Sequence, residues 1–362
     1  MVDSSLVTGR RFRLELRQDI SQARQFWLVC AGLGVGLVIA AIILMLSGVG
    51  LADLYTEFVV SIFTNPQSLS AVMVQSAPLL IVGLAAAIAF RVRFWNIGLE
   101  GQMIFGAIFC TAVAKTDFGP EPLRLVIMLI AAALGGMFWI AVPGWLRLKL
   151  NLNEIISTLL LNYVALNVLL HLLYGSWKDP KSSFPNSEQY DAAERLPLLG
   201  WENLTLALPM ALVLALVLWW LMERSRFGFF SRFAQANPKM ARAVGIPLAG
   251  VTLVAILASG ALAGVAGFAI SAGIEYRMTQ SFFTGYGFSG ILIAFLARNN
   301  PIAAIPVAFL LAVLFVTGQS LQVFYQIPGA MVQLIQAIIV MSVASADFFI
   351  RHRVRLVRMG AA

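Results

Sequence analysis

Long apolar runs, separated by short polar or Gly/Pro-containing breaks, dominate the chain. Most runs come close to the roughly 20 residues that a helix needs to cross the hydrocarbon of a bilayer. They predict ten membrane-spanning helices, at 27–47, 70–90, 97–114, 123–146, 155–174, 204–222, 248–272, 286–297, 302–318 and 328–349. The third run carries a glutamate near its start and the eighth is short, so either is a candidate for a broken or half-crossing segment.

Composition agrees with this pattern. Of 362 residues, 60% are hydrophobic and 12% charged, whereas soluble domains run at about 45–50% and about 25%. The fold class is therefore an all-α, polytopic integral membrane protein with about ten transmembrane helices. A disordered chain, a secreted disulfide scaffold and a soluble nucleic-acid binder are excluded. Cys30 and Cys110 lie in apolar runs and are interpreted as small buried hydrophobic residues.

The positions of lysine and arginine predict the orientation. Cytoplasmic loops of membrane proteins carry an excess of these residues, and most of the 25 basic residues fall on one side when both termini lie inside. The first run is too long for a signal peptide and is interpreted as an uncleaved span. The chain then divides into a cytoplasmic segment (1–26), a transmembrane permease domain (27–349) and a basic cytoplasmic tail (350–362). The basic residues that give the chain its net charge of +8 lie mostly at the inner membrane surface, where anionic lipid attracts them.

Two loops are long enough to meet other proteins. The acidic segment 175–203 lies outside and is a surface for an external partner, although it is too small to be a domain. The basic segment 223–247 lies inside and is where we expect coupling to another subunit.

Glu100 is the residue whose insertion into a membrane span is least favourable, because a charge at the bilayer centre costs about 2.5–3.5 kcal/mol of insertion free energy even on the mildest scale. Asn96 is a candidate N-cap, and Glu100 then lies about 6 Å further along the axis, at the positive end of the helix dipole. Capping together with pairing to Arg91 or Arg93 is favoured over binding of substrate or protons.

The fifth span carries a polar stripe that includes Thr158 and Asn162. Such a stripe holds helices together or lines a polar path, and the sequence leaves both open. The candidates for the translocation path and substrate site are Gln75, Asn96, Glu100, Asn162 and Asn167.

Small residues mark two further places. Gly260 and Gly264 form a GxxxG pair that lets helices approach closely, within the chain or between subunits. Gly287, Ser289 and Gly290 resemble the Gly-x-Ser-Gly of intramembrane proteases, but no histidine follows on a later span to activate the serine. They are interpreted as a tight entry into a short helix.

Catalytic and nucleotide-binding motifs are missing. The sequence has no Gly-Lys dipeptide, so no Walker A loop can hold ATP phosphates. It also has no metal-ligand spacing and no paired-carboxylate site. We expect a transport subunit that is not an enzyme, with no cofactor or metal of its own and ATP bound by a partner.

Four strings together resemble one family: the permease subunits of bacterial ABC importers in the branched-chain amino acid and simple-sugar branch. Phe94–Met103 resembles the segment that opens the third span of these permeases, and Asn153–Tyr163 the fifth span of nucleoside-uptake members. Gly287–Ile291 with Arg298–Pro301, including Asn299 and Asn300, resembles a later pair of motifs. Arg232–Ile246 resembles the cytoplasmic coupling helix.

The resemblance implies the inverted-repeat fold of ABC importer permeases. It also implies an assembly of two permease chains, identical or different, with ABC ATPase subunits and an external substrate-binding lipoprotein, in the bacterial inner membrane. The coupling residues would be Asn237, Pro238, Met240, Ala241, Arg242 and Gly245. Asn237-Pro238 would begin a short amphipathic helix and Gly245 would end it.

Four functions, in three classes, remain open at this point. The leading one is a nucleoside-type ABC permease, and a ribose-type sugar permease is the alternative within the family. An ion-coupled secondary transporter, which also often has ten spans with inverted repeats, would need a coupling-ion site that no deep acidic residue supplies. A non-transporting scaffold would not need the inner helix.

Overall fold

The computed structural model describes residues 10–16, 20–280 and 285–358. Parts of the predicted N-terminal segment, including Arg17, and the end of the tail lie outside these residues. The chain forms two compact units, one of Phe58–Thr317 and one of Met1–Glu57 with Gly318–Ala362.

Every predicted span corresponds to a helix, which confirms the all-α membrane fold. The helices are α1 (Gln22–Leu46), α2 (Leu51–Tyr55), α3 (Ser61–Thr64), α4 (Pro66–Arg91), α5 (Leu99–Lys115), α6 (Glu121–Leu150), α7 (Glu154–Tyr174), α8 (Ala207–Arg224), α9 (Arg226–Ala236), α10 (Pro238–Ala243), α11 (Leu248–Ile270), α12 (Tyr286–Leu296), α13 (Pro301–Phe324) and α14 (Gly329–Arg351). Within the described residues, eight are long and apolar enough to cross a membrane; α5 and α12 are shorter.

Helix α12 is too short to cross a membrane by itself. Its 11 residues span about 16 Å at 1.5 Å per residue, against about 30 Å of hydrocarbon. Its first residue, Tyr286, receives a hydrogen bond from Gln75, which lies inside α4 rather than at its end. The N-terminus of α12 therefore lies part-way along α4, at a depth that hydropathy alone does not reveal.

Helices α4, α5 and α11 form the buried centre of the Phe58–Thr317 unit. Gly260 and Gly264 bring α11 against α6: a Cβ on Gly260 would lie 2.6 Å from Gly136 O, and one on Gly264 would lie 3.1 Å from Gly136 N. Side chains would force these backbones apart. Both glycines thus serve packing within the chain.

Helices of the two successive runs that begin with α4 and α11 pack on one another inside this unit. Helix α4 packs on α11. Helix α5 of the first run packs on α11, and α12 of the second run packs on α4.

The second unit is built around α1 and α14. Gly32 and Gly36 let these helices touch, since a Cβ on either would lie 2.8 Å from the backbone of α14. Beyond them, β1 (Arg10–Leu16) and β2 (His352–Arg358) pair as an antiparallel ribbon. The ribbon places the segments that precede α1 and follow α14 side by side.

Candidate translocation site and coupling surface

Polar side chains of α7 hold the backbone segment 95–101 that leads into α5. Thr158 Oγ1 accepts from Ile97 N at 3.2 Å. Asn162 donates to Ile97 O at 2.9 Å and accepts from Gly101 N at 2.8 Å. Because the non-helical residues before Leu99 and the first turn of α5 lie among buried residues, their unpaired backbone groups need such partners. The stripe predicted on the fifth span therefore joins α7 to the start of α5.

Asn96 is the centre of a second buried network. Its amide nitrogen donates to Gln102 Oε1 and Ser259 Oγ, both at 3.0 Å, and its oxygen accepts from Gln102 Nε2 at 2.8 Å. Ser259 in turn donates to Ala85 O at 2.7 Å. Asn96 was predicted as the N-cap of α5, and this is wrong: the cap is Gly98, whose N–H donates to Asn96 Oδ1 at 3.1 Å. The network connects α4, the start of α5 and α11.

Glu100 caps a different helix from the one on which it stands. Its two carboxylate oxygens accept from Gly285 N at 3.1 Å and Gly287 N at 2.5 Å, at the N-terminus of α12. The predicted pairing with Arg91 or Arg93 is wrong, because Arg91 binds Glu223 and Arg93 donates to a backbone carbonyl. The carboxylate is 1% exposed, and the N–H groups of α12 compensate for its burial.

Gln75 and Tyr286 form a hydrogen-bonded pair beside this cap. Gln75 Nε2 lies 2.5 Å from the Tyr286 hydroxyl. The Tyr286 ring stacks on Phe315, with centroids 5.7 Å apart. An amide, a phenol and an aromatic face thus meet at the N-terminal end of α12, next to Glu100. Asn167 does not join them: it is exposed and donates to Tyr163 O on its own helix.

The motif residues around α12 have structural roles. Gly285, with φ +86°, makes the turn into the helix that was expected at Gly287. Gly287 and Gly290 let α12 approach its neighbours closely. A Cβ on Gly287 would lie 2.5 Å from Glu100 N, and one on Gly290 would lie 2.9 Å from Val82 C. Ser289 donates to Gly285 O at 3.0 Å.

The Arg298–Pro301 string forms the turn between α12 and α13. Arg298 and Asn299 have positive φ angles of 52° and 58°. Asn300 Oδ1 accepts from Ile302 N at 3.0 Å, as an N-cap does. The string therefore ends one helix and starts the next.

The inner loop contains the predicted short helix. Asn237 Oδ1 accepts from Lys239 N and Met240 N, both at 3.1 Å, and Pro238 is the first helical residue. After α10 ends at Ala243, Gly245 takes φ +80° and donates to Arg242 O at 3.1 Å. Ala241 is buried, whereas Met240 is 57% and Val244 61% exposed. The helix thus presents two apolar side chains outward.

Ion pairs fix this region to the membrane helices. Glu223, at the end of α8, binds Arg91 at 3.1 Å and also binds Arg232 of α9. Arg93 donates to Ala236 O, the last residue of α9, at 3.3 Å. Movement of α9 and α10 would therefore act directly on the ends of α4 and α8.

The opposite loop, 175–203, packs onto the ends of α5 and α11. Tyr190 N donates to Tyr276 O at 2.8 Å, and its hydroxyl lies 2.6 Å from Thr111 Oγ1. Burial raises the pKa of Tyr190 well above its ordinary value, so the hydroxyl stays protonated at neutral pH. Arg124 bridges Asp117 at 2.7 Å and Glu194 at 3.1 Å.

Comparison with known proteins decides between the transporter classes. The family described as branched-chain amino acid transport system, permease component, matches residues 68–344. The chain belongs to this family.

Three relatives of this permease are named for a sugar or for a nucleoside. The glucose ABC transporter permease TsgB13 of Haloferax volcanii is 34% identical over 360 residues, 94% of each chain. The guanosine ABC transporter permease NupP of Bacillus subtilis is 30% identical, over 86% of this chain and 91% of the relative. The nucleoside ABC transporter permease NupB of Lactococcus lactis is 26% identical, over 85% and 88%. No solved structure matches the permease.

These relatives are permease subunits, which transport rather than hydrolyse ATP, and ABC permeases sit in the plasma membrane beside ATPase and substrate-binding partners. The chain is thus a membrane-spanning component of an ABC transporter.

Sequence reasoning missed three residues of the permease that the structure brings into play. Tyr286 partners Gln75, Ser259 supports Asn96, and Glu223 joins two arginines. Glu223 was detectable as an acidic residue among the arginines of the inner loop. No local signal marks Tyr286 or Ser259, because their partners are 211 and 163 residues away.

Proposed function

We propose that this permease forms the translocation path for a nucleoside and couples it to a separate ABC ATPase, with both termini in the cytoplasm. The observation that carries the proposal is the inner loop: a capped, rigid α10 with exposed Met240 and Val244, in a chain that belongs to a permease family. An exposed short helix of this kind suits docking into a groove of a partner. The coupling residues are those of the sequence prediction, from Asn237 to Gly245.

Two independent features support this orientation. The β1–β2 ribbon pairs the two terminal segments, so an even number of crossings separates them. Arg91, Arg93, Arg147 and Arg242 all lie at the α10 end of the membrane helices, which the positive-inside rule assigns to the cytoplasm.

The path is proposed to pass the N-terminal end of α12. Of the five predicted path residues, Glu100 and Asn162 bond to backbone groups and Asn96 belongs to a network of several buried partners, so these three are assigned to the wall. Asn167 is exposed on α7. Gln75 and Tyr286 share a side-chain hydrogen bond, which a passing solute can replace. An aromatic face with an adjacent amide suits a nucleobase, which stacks and hydrogen bonds at once.

A simple sugar is the second candidate substrate. It is favoured by the 34% identity to a permease named for glucose. Amide and hydroxyl groups also bind sugar hydroxyls, so transport measurements have to separate the two.

The test uses the permease reconstituted with its ATPase, second permease chain and binding protein in proteoliposomes. We expect ATP-dependent uptake of radiolabelled guanosine that excess unlabelled nucleoside suppresses and excess glucose or ribose does not. Uptake of labelled glucose or ribose instead would replace nucleoside by sugar. Uptake driven by an ion gradient without ATP would overturn the ABC assignment.

A further inference from the structure

A cavity of about 520 Å³ lies beside α10, where α6 ends and α11 begins. Three arginines from three different segments line it: Arg93 after α4, Arg147 in the last turn of α6 and Arg242 in α10. No aspartate or glutamate belongs to the described lining. The cavity is thus a concentrated positive site, lined by two of the predicted coupling residues, Pro238 and Arg242, and by none of the predicted path residues.

The guanidinium groups keep donors for a ligand. Arg147 binds Glu154 through Nε, at 3.3 Å, and Arg93 donates through Nη2 to Ala236 O. Among the described residues, the side chain of Arg242 has no hydrogen-bonding partner. Arginine pairs with phosphate through two parallel N–H donors, so these groups are suited to a phosphate with several oxygens.

Apolar rows lead away from the cavity along the same two helices. On α6, Leu148 lines the cavity, and Trp145 and Val142 follow on the same face at intervals of three residues, being 56% and 46% exposed. On α11, Ala249 lines the cavity and Leu253, one turn further, is 43% exposed. Residues at these spacings share one helix face. A charged cavity therefore continues into an apolar, membrane-facing surface.

We propose that this cavity binds the phosphodiester headgroup of an anionic phospholipid, with the acyl chains along the exposed rows of α6 and α11. A free phosphate would use the arginines but not the apolar rows, and an acidic protein segment would not follow them into the bilayer. Basic pockets between membrane helices bind anionic headgroups in this manner. The lipid would contact Arg242 of α10 and Arg93 beside α9, which makes the coupling region sensitive to lipid composition.

The first test measures lipid retention by the purified chain. Detergent-solubilised protein is incubated with equimolar phosphatidylglycerol and phosphatidylcholine, and bound lipid is counted by native mass spectrometry. We expect a preference for phosphatidylglycerol that Arg242→Gln lowers about tenfold, as the loss of one charge-assisted contact predicts. Lys239→Gln is the matched control, because it removes the same charge from an exposed position of α10 outside the cavity.

A second variant keeps the charges and fills the space. Ala249→Trp should lower phosphatidylglycerol retention as strongly as Arg242→Gln, and an unchanged elution profile shows that the variant is folded.

Three outcomes would overturn the proposal. An equal loss of lipid in Lys239→Gln would show that general surface charge, and not the cavity, retains the lipid. Displacement of the lipid by about 50 mM inorganic phosphate, where the same concentration of chloride leaves the lipid bound, would overturn the proposal in favour of a free-anion site. Full lipid retention by Arg242→Gln together with loss of the ATPase from the purified complex would reassign the cavity to protein contact.

Discussion

Glu100 Oε2 lies 2.5 Å from the backbone nitrogen of Gly287, a residue 187 positions later in the chain. The contact brings the N-termini of α5 and α12 together, because Glu100 stands in the first turn of α5 and Gly287 in that of α12. Each N-terminus carries about half a positive charge. The carboxylate therefore stabilises two helix ends that would otherwise repel each other at a buried position.

Replacement of Glu100 should reduce stability more than it changes substrate preference. Glu100→Gln puts an NH₂ group where one oxygen now accepts a backbone N–H, and an unsatisfied buried donor costs about 1–3 kcal/mol. We expect lower expression and a lower melting temperature in detergent. Glu202→Gln, at an exposed loop position, is the control. A changed nucleoside-to-sugar uptake ratio at normal stability would contradict the capping role.

Two asparagines of one helix should differ in their contribution to stability. Asn162→Ala leaves Gly101 N and Ile97 O unpaired, so we expect a loss of about 1–3 kcal/mol per buried group in the free energy of unfolding. Asn167→Ala removes an exposed side chain and should stay within about 0.5 kcal/mol of the parent. Equal effects in denaturant titrations would show that Asn162 does not hold the 95–101 segment.

The glycines of α11 offer a similar comparison. Gly264→Ala adds a methyl group against the backbone of α6 and should destabilise the protein by about 1–3 kcal/mol through overpacking. Gly250→Ala, in the first turn of the same helix and with nothing within 4 Å of its Cβ, should be neutral or slightly stabilising. Thermal unfolding followed by size-exclusion chromatography measures both. Tolerance of alanine at 264 would refute the close packing of α11 and α6.

Gly245 should be required for coupling but not for membrane insertion. Its φ of +80° is closed to proline, so Gly245→Pro displaces the end of α10. We expect ATP-driven uptake to fall to background while the protein inserts normally. Gly245→Asn, in which asparagine tolerates this conformation, should retain most of the activity.

Charge reversal at Arg242 should also abolish transport. Transport-linked ATP hydrolysis at the normal rate, in this variant or in Gly245→Pro, would refute the role of α10.

Gln75 and Tyr286 should act as a unit in transport. Gln75→Leu and Tyr286→Phe break the same hydrogen bond, so we expect the double variant to be no worse than Tyr286→Phe alone. A rise in KM for guanosine with unchanged ATP hydrolysis is the expected signature of the path. Fully additive effects would separate the two residues.

Local pattern was sufficient for the helices and for α10. Hydropathy located a helix in each of the ten predicted runs because apolar side chains extend along most of each run. It did not show that α12 is too short to cross a membrane by itself. Asn237, Pro238 and Gly245 marked α10 because capping and positive φ depend on a few neighbouring atoms. The family resemblance of the motif strings was confirmed by the family match over residues 68–344. Such strings are recognisable because each is a run of neighbouring residues.

The partners of the polar residues were decided only by the tertiary structure. Sequence placed Glu100 at a helix start, next to Arg91 and Arg93, and the nearest opposite charge was the natural partner to expect. The fold instead places the N-terminus of α12 part-way along α4 and supplies backbone donors from Gly285 and Gly287. A hydrogen bond depends on position in space, whereas periodicity and capping depend on position in the chain, so the spans were determined by sequence and the contacts between them by the fold.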